Sequence, residues 1–147
     1  MSRMFNLDNV KGILLAIARP ELTIYQNEKK NIGYEIRIRV NIRADSPLFL
    51  EEIQRELAVN NIECNLKYSE SKIRPKPILW ISGIRNIVNV CGLLEEEIAS
   101  KADWNMFSKA AHIIYNDEHN TQKGLEYCMR HRNLYLAFSQ RRRHQKI

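Results

Sequence analysis

Cysteine is scarce and poorly placed for chemistry. The three thiols, Cys64, Cys91 and Cys128, are an odd number spread along the chain, with no Cys-x-x-Cys pair and no histidine at ligand spacing. That arrangement argues against a disulfide framework or a zinc site, and the thiols are expected to be buried as small apolar residues in a reducing compartment. Gly/Ser-rich and Pro-rich linkers are missing, as is any internal repeat, so residues 1–147 read as one domain. At 147 residues it can bury a core without covalent staples. Residues 1–6 and 139–147 are expected to be flexible ends. Long apolar runs are absent too. The longest, residues 13–18, is far too short to span a bilayer, and no charged leader precedes a continuous apolar run. The expectation is a soluble intracellular protein with no membrane partner.

Basic residues are abundant. Lys and Arg number 23 against 17 Asp and Glu, a net charge of +6, which favours a polyanionic partner if the excess is concentrated on one surface. Residues 34–43, YEIRIRVNIR, concentrate it. Ile36, Ile38, Val40 and Ile42 alternate with Glu35, Arg37, Arg39, Asn41 and Arg43, the period of a strand with one buried face. Arginines about 7 Å apart along one face suit a row of phosphates and guanine acceptor edges, and the Asn41 amide suits adenine. The same pattern also fits an ordinary solvated strand face.

The stretch GILLAIARPELTIYQ, residues 12–26, changes character within three residues. Residues 7–19 read as a helix, capped by Asp8 and apolar all round from Ile13 to Ala18, with Gly12, Ala16 and Ala18 small enough to admit another backbone. Pro20 ends it, and a strand is expected from Thr23 to Gln26. Glu21 would then sit at a helix C-terminus, the unfavourable end for a carboxylate.

Downstream, Ser46 and Pro47 open an amphipathic helix over residues 46–59, with Leu48, Leu50, Ile53 and Leu57 on one side. Asn60-Asn61 turns the chain into a strand with Ile62, Cys64, Leu66 and Tyr68 inward. Residues 70–77 form a basic loop with Lys72, Arg74 and Lys76, and residues 78–82 return as a strand. Helices follow over 83–94, 104–115 and 121–136, the last using Leu125, Cys128, Leu134 and Tyr135, before a basic tail at 141–146. Trp80 and Trp104 are expected in the core rather than as stacking platforms, His112 in the core or at an interface, and His119 as a cap or packing residue. The order is α β β α β β α α α, an α+β fold.

This order and several local strings resemble the single-motif LAGLIDADG homing endonucleases over nearly the whole chain, from Gly12 to about Tyr135. LLAIARPELTI, residues 14–24, is similar to the family's motif helix, with Ala16 on its first glycine, Glu21 on its acid and Thr23 on its serine. VNIRADSPLFLEEIQREL resembles the second strand and following helix. ASKADWNMFSKAAHII is similar to the family's lysine-led helix, and DEHNTQKGLEYCMRHRNLY to its closing helix.

The resemblance implies an αββαββα core with an antiparallel β saddle and helices on one face. It implies a homodimer built through Gly12, Leu15, Ala16 and Arg19, with Glu21 and Lys101 catalytic and Glu21 holding Mg²⁺ or Mn²⁺. Duplex DNA would be bound by Tyr25, Asn27, Lys29, Arg37, Arg39, Asn41, Arg43, Asn65, Lys67, Lys72, Arg74 and Lys76, and cleaved at a long pseudo-palindromic site. Arg19, Pro20 and Leu22 depart from the motif, and Ala44 stands where many members carry a polar residue. The alternatives are therefore a DNA-binding protein that no longer cuts, or a maturase acting on intron RNA. The 18 isoleucines and 14 asparagines point to AT-rich coding, which suits an organellar (chloroplast or mitochondrial), phage or prokaryotic mobile intron.

Overall fold

A computed structural model describes residues 5–26, 34–118 and 122–131. Its first helix, α1 (Leu7–Ile17), is capped by Asn6 rather than Asp8. The Asn6 side chain accepts from the Asn9 backbone N–H at 2.8 Å, and the Asn9 side chain accepts from the Asn6 N–H at 3.1 Å. This reciprocal cap satisfies two of the helix's orphan donors. Phe5, just before it, packs edge-on against Phe49 with ring centroids 5.4 Å apart.

The helix ends earlier than its apolar composition suggests. Ala18 is already extended, and β1 (Arg19–Gln26) begins two residues after Ile17. Proline biases the residue before it toward extended geometry, so Pro20 sets Arg19 as strand. Pro20 itself is tolerated because β1 is an edge strand. Glu21 is consequently a strand residue, and the expected clash with a helix dipole does not arise.

β2 (Tyr34–Arg43) pairs antiparallel with β1 and, on its other side, with β4 (Ile78–Ser82), which pairs with β3 (Asn65–Lys67). The sheet order is β1-β2-β4-β3, all antiparallel. The expected alternation in β2 holds on its inner face, where Ile36, Ile38, Val40 and Ile42 are buried. Their cross-strand partners Ile24, Leu22, Pro20, Ile81 and Leu79 are buried as well.

Against this face lie α2 (Pro47–Val59), α3 (Ile84–Leu93) and α5 (Ala102–Tyr115), with the short α4 (Glu95–Ile98) between the last two and α6 (Gln122–His131) after them. Their buried residues and those of α1 form one apolar cluster with the sheet, including Leu14, Leu57, Ile87, Phe107 and Cys128. The described helices thus serve one side. Asn61, with φ 63°, turns the chain after α2, and Gly83, with φ 84°, turns β4 into α3, conformations that asparagine and glycine tolerate best.

Some expected placements differ. Leu48 is 70% exposed because two residues on a helix turn about 200°, which sets it opposite Leu50. β3 is only three residues long, and Tyr68 faces solvent, where its hydroxyl donates to Glu51. His112 is exposed. The cysteines are all free. Burial pushes the Cys64 thiol up to about 12 and those of Cys91 and Cys128 up to about 11, so they stay protonated and unreactive at neutral pH. Among the described residues no helix is long and apolar enough to cross a membrane. Asn27, Lys29, His119, Leu134, Tyr135 and the tail lie outside the described residues.

Candidate nucleic-acid interface

Cross-strand partners project to the same face of a sheet, so the register defines the outer surface. One row runs Glu21, Arg39, Ser82 across β1, β2 and β4, and the next runs Arg19, Asn41, Trp80, Asn65 across all four strands. Thr23 pairs with Arg37 on one side of these rows, and Arg43 with Ile78 and Lys67 on the other. Arg19, Arg37, Asn65 and Lys67 are exposed there. Tyr25 lies further along β1, opposite Glu35.

The centre of this face is a connected set of polar groups. The Asn41 amide nitrogen donates to Glu21 Oε1, and Asn41 Oδ1 accepts from Arg39 Nε at 2.8 Å. A guanidinium can only donate, so Arg39 dictates which end of the Asn41 amide faces Glu21. Arg39 is itself set over the Trp80 ring, 5.2 Å from its centroid, a cation–π arrangement. Asn41 is only 3% exposed, its polar ends being turned to Glu21 and Arg39. Glu21 is half-buried, with the amide bond on one oxygen.

At the end of β2, Arg43 donates from Nε and Nη2 to the two carboxylate oxygens of Glu70, at 2.8 and 3.0 Å. The hydrogen bonds from Arg43, then its charge and those of Arg74 and Arg39, hold the Glu70 carboxyl below the usual carboxylate range against the opposing effect of burial. Arg43 is raised chiefly by its bond to Glu70, with a further contribution from the charge of Glu21. Lys72, Arg74 and Lys76 are exposed on the connection between β3 and β4, and Lys76 Nζ pairs with Asp45 Oδ1 at 2.9 Å.

Lys101 is exposed at the cap of α5. On α1, Gly12 and Ala16 are exposed, Leu15 is half-buried, and a Cβ added at Gly12 would meet nothing within 4 Å.

Trp80, expected in the core, lies half-buried on the outer face instead, and Glu70 and Asp45 were not expected at the site. Trp80 was legible, since in ILWIS it is out of phase with Leu79 and Ile81 and so must face outward. Glu70 and Asp45 were hidden by the basic residues around them.

Fold and surface together define an α+β architecture of the LAGLIDADG homing-endonuclease type, with a basic, acid-centred open sheet face. The homing endonuclease I-TnaI superposes with a TM-score of 0.76 at 14% identity, covering 91% of this chain and 90% of that one. An archaeal intron-encoded homing endonuclease complexed with DNA superposes at 0.75 with 17% identity, over 86% and 79%. I-SmaMI, bound to an uncleaved DNA target in the presence of calcium ions, superposes at 0.76 with 18% identity, over 92% of this chain and 47% of that one. The chain therefore spans about half the length of I-SmaMI. No family model matches the chain, and no curated protein does.

Proposed function

We propose that this chain is a site-specific DNA endonuclease that acts as a homodimer on a long pseudo-palindromic duplex and requires Mg²⁺ or Mn²⁺. The observation that carries this reading is the Glu21 carboxylate set among guanidiniums on a sheet face whose neighbours in fold are DNA-bound nucleases. A two-stranded ribbon fits the major groove. Arg37, Asn65 and Lys67 are exposed where they would meet base edges or phosphates, and Arg19, Lys72, Arg74 and Lys76 flank them. Tyr25, Asn27 and Lys29 would extend the same contact.

The donor set fits a shared metal site and not a self-contained one. Among the described residues no three His, Cys, Asp or Glu side chains gather, while Mg²⁺ accepts one or two carboxylates completed by water and substrate phosphate. Glu21 would supply one carboxylate and its copy in a second chain the other. A bound Mg²⁺ activates water and neutralises the leaving oxygen. Asn41 would orient Glu21 with one oxygen left for the metal, and Lys101 would stabilise charge on the phosphate.

The dimer would form through α1, where Gly12 and Ala16 are exposed and Leu15 is half-buried, whereas Arg19, expected at the same interface, belongs to β1 and sits in the outer sheet row with Asn41. Two of the motif departures bear less on that interface than the sequence suggests, since Pro20 and Leu22 are buried in the chain's own core. A second reading, binding without cutting, is favoured by the hydrogen bond that Asn41 already makes to Glu21.

The test is a randomised duplex library, selected for binding in Ca²⁺ and then given Mg²⁺, with Glu21→Gln alongside. The nuclease reading expects one near-palindromic site cut by the natural chain, and bound but left intact by the variant. Selection of a site that neither protein cuts would establish the second reading instead.

A further inference from the structure

Glu70 is a carboxylate on a surface otherwise stocked with cations. It opens the connection between β3 and β4, 27 residues from Arg43, and both its oxygens are taken by that guanidinium at 2.8 and 3.0 Å. This two-pronged geometry is the one arginine also makes with the two free oxygens of a phosphodiester. Arg39 and Arg74 act on the same carboxylate through their charges.

The connection is folded so as to present it. The Glu70 N–H donates to the Lys76 carbonyl and the Ser71 N–H to the Arg74 carbonyl, both at 2.9 Å. The Ser71 hydroxyl accepts from the Arg74 N–H at 3.0 Å. A cleft of about 380 Å³ opens beside the pair, lined in part by Ile73, Arg74 and Lys76. A partly exposed ion pair adds little to stability, so stability alone is a weak reason for placing an acid there.

We propose that Glu70 occupies the place of a DNA phosphate in the free protein, and that duplex binding exchanges it for a phosphodiester on Arg43. This rests on the DNA-binding reading above. The tethered carboxylate competes at high effective concentration, so a phosphate displaces it only when the remaining contacts hold the duplex in register. Glu70 therefore lowers affinity for non-cognate duplex more than for the cognate site. It is a specificity-determining residue that need not touch DNA.

The experiment measures binding of a mixed-sequence duplex and of the selected site, without divalent ions, between about 50 and 200 mM salt. Wild type, Glu70→Gln and Glu70→Ser are compared, the second substitution covering a folding failure of the first. Glu96→Gln makes the same charge change at an exposed position on α4, away from the guanidinium cluster. Glu70→Gln is expected to bind mixed-sequence duplex severalfold more tightly and to narrow the gap to the selected site. For the mixed-sequence duplex its plot of log affinity against log salt should steepen by about 0.9, the increment for one more neutralised phosphate. An unchanged slope in both Glu70 variants, or an equal change in Glu96→Gln, overturns the exchange while leaving DNA binding standing. A folded wild-type chain that binds no duplex at the lowest salt overturns the proposed function, and the exchange with it.

Discussion

Asn41 shows how one residue's environment changes its meaning. On a bare strand it would be a base-reading amide, but in the fold its two polar ends are turned to Glu21 and Arg39. Groups that orient a metal-binding carboxylate typically contribute 10- to 100-fold to affinity or activity. Asn41→Ala is therefore expected to cut about 10- to 100-fold more slowly at fixed Mg²⁺ and to need more Mg²⁺ for half its maximal rate, while divalent-free duplex binding changes little. Single-turnover cleavage across a Mg²⁺ series, beside a binding titration, checks this. Glu70 carries a second expectation. Its carboxyl is held below the ordinary value of 4.5 in the fold, so what it contributes to stability is complete above pH 4.5 and lost as pH falls through the lower folded value. For a partly exposed pair the loss is about 1 kcal/mol or less. Urea titrations at successive pH values should show wild type losing that increment below pH 4.5 and Glu70→Gln losing less.

Among the elements, α1 has the most unusual division of labour. Val10 and Leu14 are fully buried, whereas Gly12, Ala16 and Ile17 face outward, Ile17 being 41% exposed. An exposed glycine in mid-helix costs about 1 kcal/mol relative to alanine, and the space around Gly12 is open in the single chain. Gly12→Ala should therefore stabilise the monomer by about 1 kcal/mol while weakening association, because the added methyl stands where a second helix would pack. Urea unfolding of dilute protein and sedimentation at rising concentration read the two effects separately. How far each element could be read beforehand follows from how sharply its two faces differ. β2 was legible because every second residue is a branched aliphatic. The start of β1 was not, since the apolar run continues past the end of α1 to Ala18 and only Pro20 marks the break. β3 was overextended because its alternation continues through Tyr68, where the burial has already stopped.

Across the whole molecule, the layering of helices on one sheet face was legible from element order and alternation, since each strand had a single apolar side to hide. The site was less so. Glu21 drew attention through its resemblance to a known motif, and its bond to Asn41 spans 20 residues. The Arg43–Glu70 pair spans 27, and no local pattern announces a contact between a strand end and a distant connection. The rims of the sheet carry a different consequence. One rim is the three-residue β3, and the other is β1, whose second residue is a proline, so one edge is too short to template an incoming strand and the other is blunted at one end. Copies of this chain that meet at high local concentration, as on neighbouring ribosomes of one message, have little edge to zip along, and their association should stop at a finite particle instead of growing into fibrils.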